Sequence, residues 1–426
     1  MKIHIQHGRL LDPANGVNQQ ADVFIAAGKI VSINHPPSGF VAHKTLDARG
    51  CIVVPGLVDL CARLGEPGGE HKATLHSELQ AAVAGGVTSL ACPPDTDPVL
   101  DEPGLVKTLR QNALQLQLAR IYPIGAMTRA LDGQTLAEMN ELSAAGCVGF
   151  SQANVPISDT RVLWRAFEYA ATFGFTLFLH AEEPFLAQGG IAHDGEVATR
   201  LGLKGIPVSA ESLALMSLLH IAQKTGCRLH ISRISSAEGV DILRASKALG
   251  ALVTADVSAH HLHYTHYDLA YFNSYCHLKP PLRSPRDRDA LRRALADGTL
   301  DAIISDHSPV DDDAKLVPFA ESQLGATGLE TLLSLAIKWG MEDGIGLETT
   351  IARITQAPAA ILGLPVGQLA INSAADVCVV DVDAAWQVNI NNLRSLGKNS
   401  PCLGQELPAV VRYTLVGGHI VYPRAL

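Results

Sequence analysis

Three residues stand where a chain could do metal chemistry. His180 closes the apolar run 175–180, His230 lies in the run 228–232, and Asp306 falls near the end of the run 302–307. Imidazole nitrogens and carboxylates are the donors of zinc hydrolases. There the bound cation lowers the pKa of water from 15.7 to about 7 and supplies hydroxide at neutral pH. The chain holds 17 His in all, and that count invites a metal reading. Such a site needs three or more ligands per metal, often with a carboxylate or a modified lysine bridging a pair. A lone histidine is otherwise an ordinary structural residue, so the case turns on whether one framework brings the three to the same level.

The elements that would do so lie in the middle of the chain. Over residues 55–364, β-rich runs alternate with helical patterns. Strands are expected at 87–92, 175–180, 228–232, 252–257 and 302–307, and helices at 161–172 and 210–225. This alternation predicts an α/β fold, a (β/α)8 barrel of parallel strands, whose active site sits at the C-terminal ends of the strands. The two ends of the chain read differently, as short strands and turns. Runs 21–25 and 28–33 form a hairpin pattern, 375–382 a strand, and 410–416 with 419–422 a second hairpin. Two domains are expected: residues 1–54 plus 365–426 as a composite β domain, and residues 55–364 as the barrel.

Composition narrows the function. The 426 residues carry a formal net charge of −9, with 47% hydrophobic and 18% charged residues. The mean hydropathy is +0.17 and the sequence pI is near 6.0. A mildly acidic globular chain has no electrostatic footprint for nucleic acid. No apolar run approaches the ~18 residues that span a bilayer, and the first eight residues alternate like a strand and not like a signal peptide. The 8 Cys are scattered without a CxxC, which suits reduced thiols and a cytoplasmic location. There is no phosphate-binding glycine loop, serine-hydrolase elbow or internal repeat.

A family resemblance then becomes specific. Pro55-Gly56-Leu57-Val58-Asp59 is followed in order by Gly85-Gly86-Val87-Thr88, His180-Ala181-Glu182, His230-Ile231-Ser232 and His260-His261-Leu262. Next come Pro280-Pro281-Leu282-Arg283, Asp306-His307-Ser308-Pro309, Gly328-Leu329-Glu330-Thr331 and Gly397-Lys398-Asn399-Ser400-Pro401. Along essentially its whole length the chain resembles the amidohydrolase superfamily, and within it the dihydroorotases that partner aspartate transcarbamoylase. Against that pattern the departures fall at the chemistry. The family's Asp-x-His-x-His reads Asp59-Leu60-Cys61-Ala62-Arg63. Residues i and i+2 of a strand share a face, so the two His positions that grip one metal are Cys61 and Arg63. A thiolate can bind zinc, whereas Arg63 puts a permanent positive charge where the cation belongs. The bridging carboxylate falls on Gln152 or the neighbouring Ala153, and neither is an anion. Of six carried-over ligand positions, His180, His230 and Asp306 remain.

The substrate contacts go the same way. The carboxylate-binding Arg is Gly65, the substrate Asn in Pro93-Pro94-Asp95-Thr96 is Asp95, and the Asn before Pro-Pro-Leu-Arg is Lys279. The family's next His beyond the Asp-His-Ala-Pro match is Val310, and a later Ala-Pro is Ser322-Gln323. Without a metal the hydroxide nucleophile falls by about eight orders of magnitude, and Asp306, the family's general base, has only bulk water to activate. The resemblance therefore implies a non-catalytic dihydroorotase-like subunit with no metal, cofactor or substrate site. It would act in pyrimidine biosynthesis by holding the aspartate transcarbamoylase catalytic chain in a hetero-oligomer. The alternative is an active cyclic-amide hydrolase with one zinc on Cys61, His180, His230 and Asp306. A third expectation is a retained pocket that takes a regulatory anion, since Arg63 and Lys279 add positive charge.

Other candidates carry less. His261-Leu262-His263 is the only His-x-His, but it matches a family segment that is not a ligand pair. His71 and His76 are five apart near the start of an expected helix and do not share a face well. Asp311-Asp312-Asp313 reads as a solvated loop without calcium-ligand spacing. Cys92, Cys147 and Cys227 read as core.

Overall fold

The computed structural model describes residues 1–423. Eight parallel strands form its central sheet: β1 Leu57–Asp59, β2 Val87–Cys92, β3 Arg120–Ala126, β4 Gly149–Ser151, β5 Thr176–His180, β6 Arg228–Ser232, β7 Val253–Ser258 and β8 Ala302–Ile304. Their order in the sheet follows the sequence. A parallel bridge between Ala62 and His307, just beyond β1 and β8, brings the two edges together into a barrel. A helix follows each strand: α1 Leu75–Ala84, α2 Pro103–Leu116, α3 Met139–Ala145, α4 Thr160–Phe173, α5 Val208–Thr225, α6 Ala237–Ala248, α7 Pro285–Asp297 and α8 Leu332–Asp343. This is the (β/α)8 fold that the alternation predicts.

The sequence accounts for these elements locally. All six residues of β2 are buried, as befits a strand covered on both faces. In α4, Leu163, Ala166, Phe167 and Ala170 bury one stripe at helical spacing. The Asp159 side chain caps its first turn, and Gly174 takes the left-handed conformation at its end. In α1, Thr74 and Ser77 form a capping box.

Differences from expectation sit at element ends. The strand expected over 302–307 stops at Ile304. Ser305 donates its amide and hydroxyl to the Asp59 carboxylate, at 2.9 and 2.5 Å, and Asp306 turns off the ladder at φ +47°. Asp306 is therefore presented by a turn above the sheet. His71 lies outside α1, which starts at Leu75, so only His76 is helical.

Strands from the two ends of the chain share one sheet. Ile52–Pro55 pairs antiparallel with Val377–Gln387 and parallel with Arg9–Asp12. Val377–Gln387 also pairs with Glu406–Val416 as far as Gln387 opposite Glu406, which is why both strands outrun the expected 375–382 and 410–416. A four-stranded sheet of Lys2–Gln6, Val23–Ala26, Lys29–Ile33 and Lys44–Asp47 lies beside it. A separate apolar cluster joins residues of both ends, among them Ile3, Val23, Ile25, Val377 and Leu415. Among the described residues, no helix is long and apolar enough to cross a membrane.

Candidate functional site

The loops at the C-terminal end of the barrel surround a cavity of about 460 Å³, lined among others by Arg63, Asp95, Arg233, Lys279, Asp306 and Ser308. Cys61 and Arg63 follow β1, and Arg63 lines the cavity. The Arg63 guanidinium donates Nε–H to Asp95 Oδ2 at 2.9 Å and an Nη1–H to Ser308 Oγ at 2.9 Å. The same Nη1 is 3.7 Å from Asp306 Oδ1 and 4.0 Å from Cys61 Sγ. Cys61 Sγ and Asp306 Oδ1 are themselves 3.8 Å apart. One guanidinium nitrogen thus lies against both groups that could share a cation.

A second arginine arrives from the end of β6. Arg233 is held at φ +62° with its backbone N–H on Asp256 Oδ1 at 2.7 Å. Its Nη1 is 3.5 Å from Asp306 Oδ1 and donates to the Lys279 carbonyl at 3.1 Å, while Nη2 donates to Asn154 Oδ1 at 2.7 Å. Lys279 Nζ is 2.8 Å from Glu182 Oε1. Three cations and three carboxylates therefore pair as Arg63 with Asp95, Arg233 with Asp306, and Lys279 with Glu182. Burial pushes the Glu182 carboxyl up, but His180 and Lys279 outweigh it and hold it at about 2. For Asp306 burial wins over the pull of Arg233 and Arg63, and its carboxyl lies above the ordinary range.

The remaining ligand positions do not converge. His230 is fully buried with both ring nitrogens engaged, Nδ1 with Thr254 Oγ1 and Nε2 with Asp256 Oδ2, each at 2.8 Å. His180 opens on a different cavity of about 180 Å³, which it shares with Gln152, Glu182 and Phe185. Its Nδ1 faces the Ser232 carbonyl at 3.4 Å, its Nε2 is 3.8 Å from Glu182, and burial pulls the imidazole below its ordinary pKa. Gln152 is buried, and its amide pairs with the Thr128 hydroxyl, with Nε2 donating at 2.8 Å. Gly65 has φ +77°, and a Cβ there would lie 2.0 Å from the Ala73 carbonyl oxygen. No side chain fits at that position, so the loop excludes the carboxylate-binding arginine sterically as well as chemically.

These residues do not fit a metal. A ligand needs a free lone pair, and His230 has none to offer. Arg63 repels a cation at the place where Cys61 and Asp306 would share it. Among the described residues, no group of three or more His, Cys, Asp and Glu side chains is arranged to hold a metal ion.

The lesser candidates have structural partners. His261 Nε2 faces the Pro280 carbonyl at 3.2 Å and His263 Nε2 the Leu335 carbonyl at 2.9 Å. His71 and His76 are exposed. Cys92, Cys147 and Cys227 are buried. Sequence reasoning missed Arg233, together with the roles of Asn154, Asp256 and Ser308. The available signal was position: Arg233 directly follows His230-Ile231-Ser232 at the C-terminal end of a barrel strand, where polar side chains face the mouth.

Comparison with known proteins agrees with this architecture. Residues 50–239 match the family described as dihydro-orotase-like. A dihydroorotase-like protein of Pseudomonas aeruginosa is 43% identical over 422 residues, covering 99% of this chain and 100% of that protein. A dihydroorotase of Syntrophotalea carbinolica is 39% identical, with 99% of each chain covered. Among solved structures, the L-hydantoinase of Arthrobacter aurescens superposes with a TM-score of 0.87 at 25% identity, covering 98% of this chain and 95% of that one. The dihydropyrimidinase of Brevibacillus agri gives 0.83 at 20% identity, covering 99% and 95%, and supports the fold alone. With relatives this similar from end to end, the chain belongs to the dihydroorotase-like family of amidohydrolase-fold proteins.

Proposed function

We propose that this chain is a dihydroorotase-like protein without hydrolase activity, and that it serves as an assembly subunit for the catalytic chain of aspartate transcarbamoylase in pyrimidine biosynthesis. One observation carries the first half: the Arg63 guanidinium stands against Asp306 and Cys61, at the place where a hydrolase of this family needs its cation. Three further changes point the same way. His230 is sealed by Thr254 and Asp256, Gln152 replaces the bridging anion, and Gly65 excludes the substrate-binding arginine. The body of the barrel is kept in full while its chemistry is replaced by internally paired charges. A protein retained in that form acts through its shape and surface.

The partner comes from the family resemblance and is tested directly. Co-expression with the host transcarbamoylase catalytic chain, followed by size-exclusion chromatography and assay of carbamoyl transfer, should give one large species. The transcarbamoylase should be less active or less well assembled when this chain is omitted. Equal assembly and activity without it would overturn the proposal.

A further inference from the structure

Two loops at the mouth of the barrel, residues 266–277 and 311–325, form a platform beside the cavity, which only their last residues, Gln323, Leu324 and Gly325, help to line. They are locked together at several points. Ser274 Oγ donates to the Lys315 carbonyl at 2.5 Å, and Lys315 Nζ donates to the Ser274 and Gln323 carbonyls at 3.0 and 2.6 Å. His277 Nδ1 pairs with Ser322 Oγ at 2.8 Å, and its ring stacks on Phe319 with centroids 4.6 Å apart. From this base large apolar side chains face solvent, among them Tyr271 at 98% exposed, Leu316 at 76%, Phe272 at 48% and Val317 at 39%.

Two features mark the platform as more than stray surface. First, Tyr271 and Phe272 both have φ +58°, a conformation unfavourable for bulky residues, which glycine would adopt freely. Two successive aromatic residues held there, one of them wholly in water, weaken the fold for no gain within this chain. Such strain concentrates at ligand and partner contacts. Second, the charges are sorted. Lys315 is the only cation in the run 311–321, and it is buried against carbonyls. Asp312, Asp313 and Glu321 are left exposed, with no ion-pair partner among the described residues. The result is an apolar centre with an acidic rim.

We propose that this platform is the docking surface for a protein partner whose own face presents apolar side chains framed by Arg and Lys. Charge complementarity selects that occupant. A second copy of this chain would set acidic rim against acidic rim, which costs association energy. Aromatic anchors at the centre with charges at the edge follow the usual division of labour in an interface. The assignment deepens the assembly reading above and rests on it, with the transcarbamoylase catalytic chain as the partner.

The test uses the full chain co-expressed with that catalytic chain. Tyr271→Gly should hold or raise the melting temperature, because it relieves the backbone, yet combined with Leu316→Ser it should cut the transcarbamoylase recovered in the complex at least tenfold. Asp312→Lys with Asp313→Lys should weaken the complex as well, and the wild-type complex should loosen as salt rises. Recovery equal to wild type in both double variants would overturn the assignment. So would conversion of a dimer of this chain to monomer with the transcarbamoylase still bound, since a second copy would then be the occupant. If the wild-type chain itself recovers no transcarbamoylase, the assembly reading fails and takes this surface with it. That wild-type arm separates the two failures.

Discussion

Arg63 links the proposed loss of hydrolysis to the stability of the site. Among the described residues its guanidinium is the only side-chain partner of Asp95, whose Oδ1 is buried with no hydrogen-bond partner there. It also offsets the charge of Asp306. Replacing one member of such a pair leaves the other uncompensated, which costs more than the pair itself contributes. With both side chains about one-fifth exposed, Arg63→Met should destabilise by about 2 kcal/mol, below the range for fully buried pairs. Adding Asp95→Asn should recover part of that loss, giving a coupling of about 1 kcal/mol in a urea-denaturation cycle. Strictly additive losses would show that the two do not act as a pair. At this scale the sequence was informative where spacing alone decides. The spacing of residues 61 and 63 already put them on one side of the chain, and although β1 stops at Asp59 their side chains do meet, with Arg63 Nη1 4.0 Å from Cys61 Sγ. Arg233 escaped notice because its partners, Asp306, Asn154 and the Lys279 carbonyl, come from other strands' loops. No local pattern announces such a pairing.

Elements explain why the family runs beyond the site are kept. The segment between the strands Val377–Gln387 and Glu406–Val416 returns to the barrel and is pinned by two buried carboxylates. Glu330 accepts the Arg394 and Ser395 amides at 2.7 and 3.1 Å. Glu78 accepts the Ser395 hydroxyl at 2.6 Å and the Leu396 amide at 3.0 Å, and its Oε2 lies 2.6 Å from His307 Nε2. The residue before the run 328–331, Thr327, also meets the run 397–401, with its amide on the Asn399 carbonyl at 3.1 Å. These contacts pack the returning segment against the barrel, a role that does not depend on catalysis. Burial pushes the Glu330 carboxyl up to about 7, from 4.5, against the pull of its two amide donors. A raised carboxyl pKa in the folded state means that the unfolded chain releases this proton first. The Glu330 contribution is therefore complete below about pH 4.5 and is lost as pH rises to about 7. The melting-temperature difference between wild type and Glu330→Gln should shift against the wild type across that window and level off above it. A difference that stays constant from pH 4.5 to 7 would contradict this. Strand and helix existence was legible from alternation and periodicity, whereas element ends were not. The early stop of β8 depends on Ser305 finding Asp59 across the barrel, a contact that no window of sequence contains.

For the whole molecule, the barrel was legible because its strands are short apolar runs spaced by amphipathic helices. The joining of the two chain ends was legible because both have the same strand-and-turn texture. The count of 17 His pointed toward metal chemistry, and the residues at the carried-over ligand positions do not fit that reading. Many of these histidines are held by carbonyls, hydroxyls or carboxylates, and the two ligand positions just after β1, Cys61 and Arg63, are not histidine at all. What remains is a complete amidohydrolase body whose mouth is lined by paired charges and whose rim carries an exposed apolar platform. The central claim is that this body does no hydrolysis. The most direct measurement is dihydroorotate turnover by the purified chain supplied with zinc, with and without a chelator. The expected result is no turnover above the uncatalysed rate, and a melting temperature that the chelator leaves unchanged. Chelator-sensitive turnover of about 1 s⁻¹ or more, within the ordinary range for enzymes, would contradict the claim.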